Sequence, residues 1–488
     1  MPKMHLIKSK FDAASTSPEA MRHWKGAEFL SADAELLPEI RRRVVSRSRF
    51  EAANNGYLSG ILQTLSHDTI GTGPRLQLYV DNIEALDLDK TKELSRHLRS
   101  REKRFRKYAK KIALSAKLRM ARLAKARDGE VFIQKVINPA IDGVNNVDIV
   151  LFEAEQVGSD LGDFNEDRYK NGMPKEVDGI LFDRNGNPTH YRFRKVHPGS
   201  ASGMGQINEF ILVPAASVIH YAHFTRPGQH RGFPEIANSL TVFNDFRRYG
   251  NAVVAAAETA AVISFMLETD TVYDADEYDL SGEIDENGKR MKQINFMDVV
   301  PMAKNAGVAL PEGWKGHQLK AEQPTNTYSE FLDAKLNEAA RGLSMPFNVA
   351  KGNSSGYNYA SGRLDHQVYH REIAIAREEI EDIILDNLFE TWEKIDRLLF
   401  PRDYPADAEI SHMWMWDGFE HCDPAKESNA QSTRLANGTT TLAEECAAMG
   451  KDYETVLYQL AREQRLKAEL GLPVYQAQTN NEGIENEE

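Results

Sequence analysis

Three histidines, His220, His223 and His230, lie close together and are the first candidates for metal chemistry. Nothing supports them as a set. No HExxH pattern or spaced carboxylate accompanies them, and strand alternation puts His220 and His223 on opposite faces. The glycine-rich run GSASGMGQ (199–206) lacks the Lys-Ser/Thr of a phosphate loop and does not open a helix as a GxGxxG turn does, so it reads as a flexible loop. There is no GxSxG elbow and no cysteine in a catalytic signature. The acid pairs Glu378-Glu379 and Glu381-Asp382 fall on the polar face of a long helix and read as solvated charges. Trp414 and Trp416 read as core or interface. With no reactive constellation, the residues predict a structural component that needs no cofactor and no metal, rather than an enzyme.

The stretch Thr327 to Phe400 organises the chain. Thr327 and Glu330 are spaced as a capping box, and Tyr328, Phe331, Leu332, Leu336, Ala339 and Leu343 recur at helical spacing. Gly342 and Pro346 end this helix. A polar loop extends from Met345 to Tyr359, with Asn348, Lys351, Asn353, Ser354, Ser355, Tyr357 and two glycines. Ile373, Ala376, Ile380, Ile384, Leu388, Trp392, Ile395 and Leu399 then line one face of a helix from Arg363 to Phe400. At 1.5 Å per residue it reaches roughly 55 Å, the length of a strut in a large assembly.

Composition narrows the class. The chain has 488 residues, net charge −13 and two cysteines, Cys422 and Cys446. Two or three structural regions are expected, in a soluble globular class, with neither a disulfide framework nor a four-cysteine zinc site. The acidic balance disfavours a surface that clings to nucleic acid everywhere. The N-terminus lacks a signal-peptide core. Ala252–Leu267, interrupted by Glu258, is too short and polar to span a membrane.

In chain order, residues 1–35 read as a weakly ordered arm. From Glu39 an interrupted helical stripe closes at Gly71 and Gly73, and Leu76, Leu78 and Val80 alternate as a strand. Helix is expected from Asp89 to about Asp128, with the densest basic cluster: Arg99, Arg101, Lys103, Arg104, Arg106, Lys107, Lys110, Lys111, Lys117, Arg119, Arg122, Lys125 and Arg127. Because these charges surround the helix and aromatics are few, a solvated face with salt bridges is favoured over nucleic-acid contact. Strands are expected next at VFIQKVIN and VDIVLFEA, a hairpin turns at Asn185-Gly186, and FILVPAASVIHY adds extended chain. Helix is expected again from Pro234, at N1, to Ser264, with an alanine-rich second half that lets helices approach closely. Residues 265–326 read as a small acidic α/β insertion, Thr440–Leu470 as helical with Thr440 or Thr441 as cap, and Gln476–Glu488 as a disordered tail.

The order of these parts resembles the portal proteins of tailed bacteriophages, in the lambda-like family. The carrying residues are RSRFEAANNGYLSGILQTLSHDTIGTGPRLQ, Gly129-Glu130 before a strand, IHYAHFTRPGQHRGFPEI, and PTNTYSEFLDAKLNEAARGLSMPFNVAKGNSSGYNYASGR. The resemblance covers roughly residues 36–400. It implies an α+β portal fold with a mixed α/β wing, helical stem, small α/β clip and helical crown. The implied parts are an N-terminal arm (1–35), wing (36–233 and 361–439, the second part including the long helix), stem helices (234–264 and 327–344), clip (265–326), channel loop (345–360), crown (440–475) and tail (476–488).

It further implies a ring, usually of twelve copies, at one capsid vertex of the virion, built in the host cytoplasm. Double-stranded DNA would pass through it during packaging and ejection. Partners would be terminase, head-tail connector or adaptor proteins, and the major capsid and scaffolding proteins, with no membrane. On this reading Asn348, Lys351, Asn353, Tyr357 and Tyr359 of the channel loop contact DNA. Asp274, Asp276, Glu277, Asp279, Glu283 and Asp285 of the clip dock the motor or adaptor. Another head-tail adaptor or capsid-vertex protein is the main alternative, although adaptors are usually shorter. A packaging nuclease or ATPase is disfavoured by the missing phosphate loop and metal carboxylates.

Overall fold

A computed structural model describes residues 11–80, 88–141, 145–159, 169–170, 173–174, 176–200, 209–262, 266–269, 314–317, 327–356, 358–405, 409–419 and 424–472. The chain divides into two units, one of Met1–Phe243 with Leu336–Glu488, the other of Asn244–Lys335.

After two short helices within residues 18–35, the larger unit forms α1 (Pro38–Asn54) and α2 (Gly56–Ile70). The interruption in the helical stripe is Asn55, whose Oδ1 accepts from the Tyr57 and Leu58 N–H groups at 3.1 and 3.3 Å. It is an N-cap between two helices. β1 (Arg75–Val80) comes next, with Leu76 and Leu78 buried as the alternation predicted.

The basic stretch expected as one helix is two, α3 (Leu88–Lys111) and α4 (Leu114–Asp128). The break falls at Ala113, held at φ 52°. Leu94, Leu98, Arg101, Phe105, Tyr108 and Ile112 are buried at steps of three and four, and then Leu114 is buried two residues on. A continuous helix would turn Leu114 away from the core, so the chain breaks to keep both stripes inward.

The strands are β2 (Glu130–Ile137), β3 (Val147–Phe152), β4 (Glu176–Val177), β5 (Ile180–Phe182), β6 (Pro188–Arg194), β7 (Phe210–Pro214) and β8 (Val218–Ala222). One antiparallel sheet has the order β8-β2-β3, another β4-β5-β6-β7. The β5–β6 hairpin turns at Gly186 (φ 84°), with Asp183 Oδ1 accepting from the Asn185 and Asn187 N–H groups.

α5 (Leu240–Val262) starts later than expected. Pro234 is not its first residue, because Pro234–Ser239 forms short turns ahead of the helix. The smaller unit contains most of α5, an antiparallel pair β9 (Met266–Thr269) and β10 (Trp314–His317), and the start of α6 (Thr327–Arg341). Within it, Tyr249 stacks on Tyr328 with ring centroids 5.6 Å apart, and Phe331 lies 4.5 Å from Tyr249. Ala252, Val254, Ala256 and Ala257 are exposed. Most of the expected acidic insertion, including Asp274, Asp276, Glu277, Asp279, Glu283 and Asp285, lies outside the described residues.

In the larger unit α7 (Phe347–Lys351) precedes the long helix. That helix runs without a break as α8 (Tyr359–Ile380), a π-helical turn Glu381–Leu385, and α9 (Asp386–Leu399), about 60 Å at 1.5 Å per residue. The wider π turn lets the neighbours Ile384 and Leu385 both face the core. Then come β11 (Ile410–Met415), antiparallel to β1 with Trp414 opposite Leu76, and α10 (Pro424–Ala436), α11 (Leu442–Ala448) and α12 (Tyr453–Glu469). Thr441 caps α11 in a capping box with Glu444.

The main core joins α3, α4, β1, β2, β3, β8, the long helix and β11. Its centre is aromatic, with Phe105 edge-on to Trp392 and Phe389 at 5.2 and 5.7 Å and 5.5 Å from Trp414. Both Trp414 and Trp416 are buried. Their indole N–H groups donate to Asp386 and Glu381, so they are core residues with polar anchors.

Candidate functional site

The helix α6 ends at Arg341, before Gly342, as the glycine predicts. Met345 is buried, and its N–H donates to the Ala340 carbonyl at 3.1 Å. The next segment, expected as an open loop, contains α7. Gly352 (φ 65°) closes α7 as a Schellman motif: its N–H donates to Val349 O, and the Asn353 N–H donates to Asn348 O, both at 3.1 Å. Asn353 Oδ1 then accepts from the Ser355 N–H at 2.8 Å in an Asx turn.

The predicted loop residues separate. Asn348 is buried, with its Nδ2 3.3 Å from Ser354 Oγ and 3.2 Å from His366 Nε2. Through these contacts it holds α7 against the long helix. Lys351 is half-buried, with Nζ 5.3 Å from the centre of the Phe347 ring. Asn353, Ser354 and Ser355 are exposed. Tyr357 lies outside the described residues, and Tyr359 is the first residue of α8.

The long helix beyond the loop is clamped. Arg377 donates to the last carbonyls of α2, Thr69 O at 2.8 Å and Asp68 O at 3.1 Å, and to Asp417 O at 3.0 Å. A cation at a helix C-terminus is well placed. Tyr369 Oη donates to Asp68 Oδ2 at 3.0 Å. The exposed loop tip therefore sits on a long helix fixed to its neighbours.

Two of the motifs read from the sequence meet in a buried ionic node. Arg231 donates through Nε and Nη2 to Glu130 Oε1 at 2.9 and 2.7 Å. It also donates to the carbonyls of Ala154 (2.8 Å), Val157 (3.2 Å) and Asp178. Glu130 is fully buried, and its Oε2 accepts from the Gly232 N–H at 2.8 Å and faces His220 Nε2 at 2.8 Å. Asp178 pairs with Arg41 of α1. Burial alone would raise the Glu130 carboxyl. The Arg231 charge, the His220 contact and the Arg41 charge outweigh it and hold Glu130 well below the carboxylate range. For His220, burial is the largest effect and lowers its pKa, so it stays neutral and donates from Nε2. The glycines explain the close approach: a Cβ on Gly232 would lie 2.2 Å from Gly129 O, and one on Gly129 (φ 92°) would lie 2.5 Å from the Phe233 carbonyl carbon. His220 lies within β8 and His223 just past its end, and the two face different partners. His223 Nδ1 faces Phe233 O at 3.0 Å, and His230 Nδ1 faces Asp33 Oδ2 at 2.8 Å.

The basic cluster is largely paired. Arg99 meets Glu454 (2.6 Å), Arg104 meets Asp396 (2.7 Å), Lys117 meets Asp148 (2.6 Å) and Arg122 meets Glu235 (2.9 Å). Arg101 pairs with Glu393, and Lys125 with Glu379. Lys103, Arg106, Lys107, Lys110 and Lys111 are exposed. The salt-bridge reading of this helix fits. The reading of the acid pairs as solvated is corrected at two positions, because Glu379 holds Lys125 and Glu381 accepts from Trp416.

Glu153, Glu155 and His197 form a cluster with metal-ligand atom types that sequence reasoning missed. Arg49 already supplies its positive charge, 3.0 Å from Glu155 and 3.8 Å from Glu153. The Gly199 N–H donates to His197 Nδ1 at 3.0 Å, which leaves the ring proton on Nε2, facing Glu153. Among the described residues, no helix is long and apolar enough to cross a membrane.

Comparison with known proteins gives the family. The family model described as phage portal protein, lambda family, matches residues 17–377. The chain is 23% identical over 359 residues to a probable portal protein of Halomonas phage phiHAP-1, covering 71% of this chain and 65% of that protein. It thus spans just under two thirds of that relative's length. Among solved structures it is similar to a chain in the neck of a native GTA particle computed with C12 symmetry, at 12% identity and TM-score 0.42, covering 84% of this chain and 94% of that one. It is also similar to an HK97 family phage portal protein from Corynebacterium diphtheriae, at 12% identity and TM-score 0.28, covering 78% and 96%. With the family model matched over most of its length, the chain belongs to the lambda family of phage portal proteins.

Proposed function

We propose that this chain assembles into a ring, of twelve copies as the sequence resemblance implies, at one vertex of the capsid. There it forms the channel through which double-stranded DNA enters and leaves. The observation that carries this is the portal family match across residues 17–377. The exposed small-residue stretch of α5 supports it, because such a surface suits close packing against a neighbouring copy. The role is structural: the chain guides DNA and catalyses nothing. With a net charge of −13 per chain, the body repels DNA, which favours sliding with few contacts. The loop tip, Lys351 with Asn353, Tyr357 and Tyr359, supplies those contacts.

Residues 36–233 and 361–439 serve as the wing, 234–264 and 327–344 as the stem, 265–326 as the clip and 440–475 as the crown. The acidic clip around Asp274–Asp285 docks terminase and later the head-tail connector, while the wing meets capsid and scaffolding proteins. The protein works in the virion after assembly in the host cytoplasm. Heads assembled without this chain are expected to hold no DNA, and DNA-filled heads would refute the function. Rings lacking residues 274–285 should form yet fail to recruit the motor. Normal packaging by that deletion would refute the docking assignment.

A further inference from the structure

The arm ahead of α1 leaves the body at a defined point. Asp33 Oδ1 accepts from the His230 N–H at 3.1 Å, Glu35 pairs with Arg226, and Arg226 Nη2 donates to Leu30 O at 3.0 Å. One residue before that clamp, Phe29 is completely exposed, and every residue from Met21 to Ser31 is exposed. Trp24, 51% exposed, comes directly after a helix that is formed and capped, since Ser17 Oγ accepts from the Ala20 N–H at 3.2 Å and Pro18 opens it. Two large aromatics thus lie just beyond this helix, and this chain buries neither of them.

The same unit holds a cleft of about 370 Å³ beside the clamp, the size of a small ligand pocket. Its walls include Phe182, Tyr191, His220, Phe224 and His230, and the π turn of the long helix brings Asp382 to it. Phe224 is 48% exposed. Asp382 is exposed, and Glu378, one helical turn earlier, is exposed as well. The cleft is therefore aromatic inside, with the Asp382 carboxylate on its long-helix side and Glu378 further along that helix, outside the cleft. On the arm, Arg22 and Lys25 flank Trp24. Aromatic walls accept an indole edge-on, and the acids complement the flanking cations.

We propose that the Arg22–Phe29 segment of one copy docks in this cleft on an adjacent copy, linking neighbours in the ring. This rests on the ring reading above. The occupant is a second copy because the chain's own arm is clamped at Leu30 with Phe29 held out in solvent.

The test mixes two full-length chains before assembly, one carrying Ala27→Cys and the other Asn387→Cys, each with Cys422→Ser, and then applies mild oxidation. A disulfide-linked dimer on a non-reducing gel is expected, reduced at least fivefold when the arm chain also carries Trp24→Ala and Phe29→Ala. Rings without that dimer would overturn the docking while leaving the ring intact. A chain carrying both cysteines that links only within itself would also overturn it, by placing the arm in its own cleft. Material that never leaves the monomer would overturn the ring reading and this inference with it.

Discussion

Replacing Arg231 with methionine should cost more than most substitutions in this protein. Arg231 is 2% exposed, Glu130 is fully buried, and Asp178 is 9% exposed. Removing the guanidinium leaves Glu130 with Arg41 as its nearest remaining cation, at 3.9 Å. Breaking a buried ion pair from one side typically costs about 3–5 kcal/mol. The lost donations to Ala154, Val157 and Asp178 leave buried carbonyls short of a partner, at roughly 1 kcal/mol each. Discounting for non-additivity, the expected loss is about 5 kcal/mol, comparable with the whole stability of many domains. Denaturant unfolding at pH 7 measures it. The same geometry gives two further outcomes. Lowering the pH to 5 should restore part of the loss in the variant, because the stranded Glu130 can then take up a proton. In the wild type Glu130 is held below the carboxylate range and adds nothing over this interval, so the recovery is read as a smaller difference between variant and wild type at pH 5 than at pH 7. A double variant, Glu130→Leu with Arg231→Met, should lose less than the single Arg231 change. A loss under 1 kcal/mol for Arg231→Met, or an equal loss at both pH values, would refute the account of the node.

Three other predictions stand beside it, one of them at the glycine that borders the same node. Burial raises Glu102 to about 7, with the Leu78 N–H donating at 2.8 Å as the main opposing effect. The folded chain therefore holds a proton that the unfolded chain releases between about pH 4.5 and 7, and stability falls as pH rises through that window. Glu102→Gln should flatten this slope and add about 2 kcal/mol at pH 8, after discounting for solvent screening, and an unchanged slope in a pH series of melts would refute it. Gly232→Ala would place a Cβ 2.2 Å from Gly129 O, so a loss of at least about 2 kcal/mol is expected. A wild-type melting temperature for that variant would contradict the backbone contact. Replacing Lys351 and Tyr357 together by alanine should alter DNA packaging or retention while ring assembly proceeds, and normal packaging and retention would remove the loop from the channel.

The local signals in the chain were readable. Alternation of Leu76, Leu78 and Val80 marked a strand, Asn185-Gly186 marked a hairpin, and Thr441 marked a helix start. The break at Ala113 was also present as a phase slip between Ile112 and Leu114, hidden because basic residues run around the helix on both sides of it without interruption. What sequence could not give was partnership at long range. Glu130 and Arg231 are 101 residues apart, and Lys125 and Glu379 are 254 apart, so nothing local distinguishes these buried charges from solvated ones. The segment around Asn348 was read as an open loop for a similar reason, since its polar residues gave no hint that Met345 and Ala350 anchor it as a short helix in apolar surroundings. The aromatic cleft escaped entirely, because its walls come from three strands, a loop, the π turn and the start of α9.

Electron-microscope images of the purified, assembled protein test the central claim most directly. The account predicts closed rings, twelvefold, with a central opening wide enough for a DNA duplex. Particles that stay monomeric under all assembly conditions, or rings closed at the centre, would contradict it.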